Sequence, residues 1–166
     1  MATLTKTATP PGIPAAVLMR LIDEGHGPNP WYGADIQSAL EDVDATLAAR
    51  RPQAGRHNIA EIALHHAYWV HEVRGRLIGG NTEPFALPGE DWFAWEGGAQ
   101  RSWDDVKKTL AAEVERLRDA VDAVARGAQP SPLNAEERFD QVLGIAAHGA
   151  YHAGQIQLVK ALVATL

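Results

Sequence analysis

Apolar side chains along this chain recur at steps of three and four, the spacing that gathers them on one face of an α-helix. Val17, Leu18, Leu21 and Ile22 open the series after Pro14, and Gly25 to Pro30 break it. The spacing returns at Ile36, Leu40, Val43 and Leu47 before Arg51-Pro52 and Gly55, so this stretch is predicted to be helical and to extend or kink the first helical layer. A long helix is predicted from Asn58 to near Leu77. Ile59, Ile62, Trp69, Val70, Val73 and Leu77 form its stripe, Asn58 or His57 caps it, and Gly79-Gly80 stops it.

Two more helices announce themselves by their first turns. Ser102 with Asp104 and Asp105, and Asn134 with Glu136 and Glu137, combine a short capping side chain with early carboxylates that suit the free N–H groups and the dipole. The first of these helices runs to near Arg126, where Gly127 ends it, and nothing interrupts the second before the C-terminus. Between Asn81 and Arg101, Pro and Gly alternate with Phe85, Trp92, Phe93 and Trp95 without a period, which predicts a long packed loop. Connections in helix bundles usually take ~2–8 residues, so this loop is long enough to cross the bundle and let the helices on either side run parallel. The expected fold class is all-α, a four-helix bundle. Residues 1–13 are expected to be a flexible tail and 14–166 a single domain.

Composition narrows the chemistry. With 46 % hydrophobic and 22 % charged residues the chain is globular in character and not disordered. It contains no cysteine, which removes disulfides, thiolate metal clusters and cysteine nucleophiles, so any metal must rest on His, Asp or Glu. A net charge of −6 with scattered Lys and Arg argues against nucleic acid as a partner. No stretch approaches the ~20 apolar residues of a membrane span and no secretory signal precedes the first helix, which leads to the expectation of a cytoplasmic protein without membrane association. There is no G-x-S-x-G and no Gly-rich phosphate loop.

The histidines carry what chemistry remains, five of the seven lying on two predicted helices. His148 and His152 are four apart and so project within ~40° of each other. They share the face of Val142, Ile145, Ile156 and Val159 and therefore point into the core. Two neutral imidazoles there need partners for their nitrogens, and a shared divalent ion with a third ligand from a facing helix would satisfy them together. The plainer alternative is a pair of partly buried histidines hydrogen-bonded elsewhere. The facing helix offers His65 and His66, which point in different directions, and periodicity slightly prefers His66, which falls on the stripe of Ile59, Ile62, Val70 and Val73. His71, among Glu72, Arg74 and Arg76, reads as solvated.

The run from His57 through Asn58, Ile59 and Glu61 to His65, with His148-Gly-Ala-Tyr-His152-Ala-Gly-Gln-Ile156 near the end, resembles the DinB-like metal-binding bundle proteins, including the YfiT-type hydrolases. Trp31-Tyr32-Gly33 and the aromatic loop around Trp92 share in the resemblance, which extends over nearly the whole chain. It implies an up-down-down-up bundle with three His ligands for a zinc or nickel ion. It also implies His65 as the first ligand, six residues after Ile59, with His66 as its neighbour.

Three neutral imidazoles would leave the ion its full charge and an open position, the pattern of a catalytic site. Such a site can activate water for hydrolysis or a low-molecular-weight thiol for transfer to an electrophile, and the resemblance implies both activities in part. Glu61 and Gln155, each about one turn from a ligand, are candidates for orienting a ligand or a bound water. A small-molecule or thiol substrate and a homodimer are the expected partners. The competing expectation is a binding protein without turnover, or a structural homodimer.

Overall fold

A computed structural model of the protein describes residues 12–27, 30–80, 82–97 and 101–164. The expected tail, 1–13, falls outside them except for its last two residues. All regular structure among the described residues is helical: α1 (Ala15–His26), α2 (Ala45–Ala49), α3 (Ile59–Ile78), α4 (Trp103–Ala125) and α5 (Ala135–Val163), with a single 3₁₀ turn at Ser38–Leu40. None of these helices is long and apolar enough to cross a membrane.

The helix starts follow from their first residues. Asn58 accepts from the Glu61 backbone N–H at 2.9 Å while the Glu61 carboxylate accepts from the Asn58 N–H, a reciprocal capping box. Asn134 and Glu137 repeat it at α5, and Ser102 caps α4. At the far end of α3, Gly79 takes the left-handed conformation, φ 84°, that closes a helix at little cost only in glycine.

The stretch predicted as one helix over Ile36–Leu47 is broken instead. The Asp35 carboxylate accepts from the backbone N–H groups of Gln37 (2.8 Å) and Ser38 (3.2 Å) and from the Ser38 hydroxyl, so local side-chain bonds compete with a helical ladder. Asp44 then caps a fresh, short α2 through the Leu47 N–H. Ile36, Leu40 and Val43 are nonetheless buried, so their spacing marked the core and not a continuous helix.

Packing brings four long helices together, with fully buried Ile22, Ile59, Ile62, Leu64, Leu110, Leu117 and Ile156 at the centre. The starts of α3 and α4 lie at the same end: Asn58 donates to the Trp95 carbonyl at 2.8 Å, and Trp95 packs edge-on against Trp103. Farther along both helices His71 meets Glu113. The aromatic loop that bridges them is packed as expected, with Phe93 and Trp95 buried and Phe85 partly so. α1 and α5 cross closely, for a Cβ on Gly25 would stand 2.6 Å from the Ala146 Cα and one on Gly149 would stand 2.7 Å from the Gly25 carbonyl oxygen.

Candidate metal centre

α3 and α5 face each other with their histidines at one level. His65, His148 and His152 each place a ring nitrogen within 4.8 Å of the others, and among the described residues this group contains no carboxylate. Nε2 of His148 and Nε2 of His152 are 3.0 Å apart. Nitrogens bound at ~2.0 Å to one ion also lie ~3 Å apart, so the spacing suits a shared divalent cation.

Each ring is anchored from behind, on the side away from the group. Nδ1 of His65 donates to the Asp91 carbonyl at 2.9 Å and lies 3.1 Å from the Asp91 carboxylate. Nδ1 of His152 donates to the Gln155 side-chain oxygen at 2.8 Å. Nδ1 of His148 meets Nδ1 of His66 at 2.8 Å. Partners of this kind fix ring orientation and the tautomer that leaves Nε2 free for a metal.

Burial keeps these rings neutral. Loss of hydration, reinforced for His148 by the neighbouring histidines, lowers both His148 and His152 from the ordinary 6.5 to about 4. Burial lowers His65 too, and pushes the fully buried His66 well down. Neutral imidazole is the form that ligates, so the histidines need lose no proton to bind a cation near neutral pH.

The adjacent pair on α3 divides its roles because successive helical residues are ~100° apart. His65 turns into the group and His66 turns to its rear, between His148 and His26. His26, the last residue of α1, carries no sequence signal beyond its type. Its Nε2 lies 2.9 Å from Nε2 of His66, the rings are stacked, and burial lowers it to about 4. The small Gly149 opposite is what admits it, since a Cβ there would stand 3.2 Å from His26 Nε2.

The aromatic loop supplies two neighbours of the site, Asp91, which the sequence did not point to, and Trp92, which it marked only as part of a packed loop and of the resemblance. Asp91 has φ 64°, unusual for a residue with a side chain, and its carboxylate accepts from the Trp69 indole N–H at 2.8 Å. Trp92 lies between the rings of His57 and His65, stacked on both at 3.6 and 3.9 Å between centroids. A loop without periodicity gives no sign of where its side chains will land.

Of the two candidate helpers, Gln155 touches a member of the group and Glu61 holds the loop. Glu61 accepts from Arg51 (2.8 and 2.5 Å), from His57 Nδ1 (3.1 Å) and from the Trp95 backbone N–H (3.2 Å). Burial pushes its carboxyl up, but these donors together hold it below the usual carboxylate range.

His71 is not solvated as its charged neighbours suggested. It is 5 % exposed, and its Nδ1 lies 3.3 Å from a Glu113 oxygen, in a second gathering of His71, Glu83 and Glu113. Arg74 and Arg116 reach both carboxylates at 2.7–3.5 Å, so that cluster is an ion-pair network whose negative charge is already met.

Comparison with known proteins bears on the same region. Residues 33–156, which include all three histidines of the group, match the DinB superfamily. No curated protein and no solved structure matches the chain.

Proposed function

This chain belongs to the DinB superfamily, and on that premise we propose that it is a metal-dependent enzyme whose His65, His148 and His152 hold one divalent ion, zinc or nickel. The reaction is hydrolysis by an activated water or transfer of a low-molecular-weight thiol to an electrophile. The observation that carries this reading is the set of three neutral imidazoles, each anchored by its own partner, with no fourth ligand grouped with them among the described residues. Structural metal sites are closed by four protein ligands, whereas three leave a position for water or substrate. Imidazole donors suit zinc and nickel. When bound, the ion supplies positive charge that lowers the pKa of a water or a thiol and makes either a nucleophile near neutral pH.

The chain's own residues supply orientation and access. Asp91, His66 and Gln155 each hold one ring so that three nitrogens converge. His148 is only partly buried, and the exposed rims of Trp92 and Tyr151 flank the group, so a small molecule approaches from that side.

Elemental analysis of the purified protein beside His65→Ala and His66→Ala variants tests the site. The expected result is near one ion per chain in the wild type, none in His65→Ala, and an ion retained with ~10–100-fold weaker affinity in His66→Ala, whose lost side chain only orients His148. No metal even after reconstitution would overturn the reading. Metal-loaded protein without turnover on esters, amides or thiol-plus-electrophile pairs would instead make this a sequestering protein.

A further inference from the structure

Helix α5 is apolar on two opposite sides. Its buried side runs through Val142, Ile145, Ile156 and Val159. Two residues after each of these, and so ~200° farther round the helix, stand Gly144, Ala147, Leu158 and Ala161, all exposed. Tyr151 and Gly154, also exposed, complete that outer line at steps of three and four, and Leu143 lies along one edge of it. Tyr151 is 66 % exposed, Leu158 59 % and Leu143 42 %. No Asp, Glu, Lys or Arg occurs from Gln141 to Val159.

The outer side of α4 is built differently. It presents Asp104, Asp105, Lys108, Glu115, Arg116 and Asp119 to water, as a helix with a single buried stripe does. A helix that is apolar all round belongs in an interior, so the outer stripe of α5 calls for a cover.

The cover that fits is a second copy of the same face. Two copies of a chain with net charge −6 repel each other, and on this uncharged side they meet without setting like charges together. A partner recruited by opposite charge would find nothing there to pair with. The steps of three and four keep the ~3.5-residue period that holds one helix in register along another.

The order of large and small residues selects the arrangement. With a second α5 antiparallel about a two-fold axis between His152 and Ala153, Tyr151 lies on the partner's Gly154 and Leu158 on the partner's Ala147. Gly144 then lies on the partner's Ala161, which lets the backbones approach. Every layer of this contact sets a large side chain against a small one or two small ones together, and a small residue is all that position 154 needs. Moving the axis to residue 149 would bury Asp140 under the partner's Leu158. A parallel pair would crowd tyrosine on tyrosine and leave glycine on glycine beside it.

We propose that the chain forms a homodimer through this antiparallel α5 contact. His148 and Gln155 lie along the other edge of the stripe, so each copy's helix walls one side of the other's histidine group. Tyr151 belongs to the contact, and Trp92, stacked on His65 farther round, keeps the approach open. The contact itself requires no metal.

Sedimentation equilibrium of the full chain tests the proposal. The wild type is expected to be a dimer. Leu158→Glu and Ala147→Lys, both at exposed positions, should keep their helical circular dichroism and associate about a hundredfold more weakly, since each puts an unpaired charge into the contact. The two substitutions combined in one chain should restore the dimer, because each new lysine then faces a new glutamate across the axis. A monomeric wild type would overturn the proposal and leave the face to a different protein. A dimer that Leu158→Glu leaves intact would overturn it by placing the contact elsewhere, and a combined variant no tighter than the single ones would overturn the antiparallel register.

Discussion

A histidine must be neutral before it can ligate, and the centre arranges this by burial. His148 and His152 lie at about 4, and His65 moves in the same direction. Below pH 6.5 metal affinity should therefore fall far less steeply than it would for three ordinary histidines, because His148 and His152 take up no proton until near pH 4 and His65 is shifted in the same direction. Three histidines at the ordinary 6.5 would lose about a thousandfold per pH unit below it. Equilibrium dialysis against nickel or zinc at pH 7, 6 and 5 distinguishes the two, and a steep fall between 6.5 and 5.5 would contradict the buried-neutral description. Gln155→Leu removes the acceptor that orients His152, so chelator competition should show affinity ~10–100-fold lower with the fold intact. At this scale the sequence was partly legible. The four-residue spacing of His148 and His152 is a fact of helix geometry, whereas the choice between His65 and His66 needs the direction of a whole helix relative to its neighbour.

Helices α1 and α5 touch through glycine. A Cβ on Gly149 would meet backbone, the Gly25 carbonyl oxygen at 2.7 Å, which cannot swing aside as a side chain could. Gly149→Ala should force the helices apart and cost about 1–3 kcal/mol in urea unfolding, and it should disturb the seat of His26. Gly154→Ala, on the same helix with nothing within 4 Å, is the control and should be neutral or stabilising by up to ~1 kcal/mol from helix propensity. Equal effects in both would show that the crossing is not tight. Helix starts were readable in the sequence because a cap acts within four residues, as Asn58, Ser102 and Asn134 do. The stretch after Asp35 misled because burial imposes a period on apolar residues whether or not the backbone between them is helical.

For the whole molecule, the cluster of His26, His65, His66, His148 and His152 sets a pH limit. All five are lowered in the folded protein, mainly by burial, with His26, His148 and His152 near 4 against 6.5 when unfolded. Between those values the unfolded chain binds protons that the folded one does not, so stability decreases as pH falls through that window and is unaffected by these groups above it. The melting temperature of metal-free protein should fall progressively from pH 6.5 toward 4. Added metal should raise it at pH 7, since binding to the folded state alone stabilises it. A melting temperature constant over that interval would show that the histidines are hydrated.

The sequence by itself determined the class of fold, the long helices with their caps, the packed aromatic loop and the pair of histidines on α5, because each depends on residues within a few turns of one another. Between His65, which the family resemblance implied, and His66, which periodicity slightly preferred, it is the tertiary structure that groups His65 with that pair. It also decided that His26 backs His66, that Asp91 and Trp92 close on His65, and that His71 is buried in an ion-pair network. These are meetings between elements tens of residues apart. They are fixed by how one helix face is rotated against another and by where a period-free loop comes to rest, neither of which is encoded in local spacing.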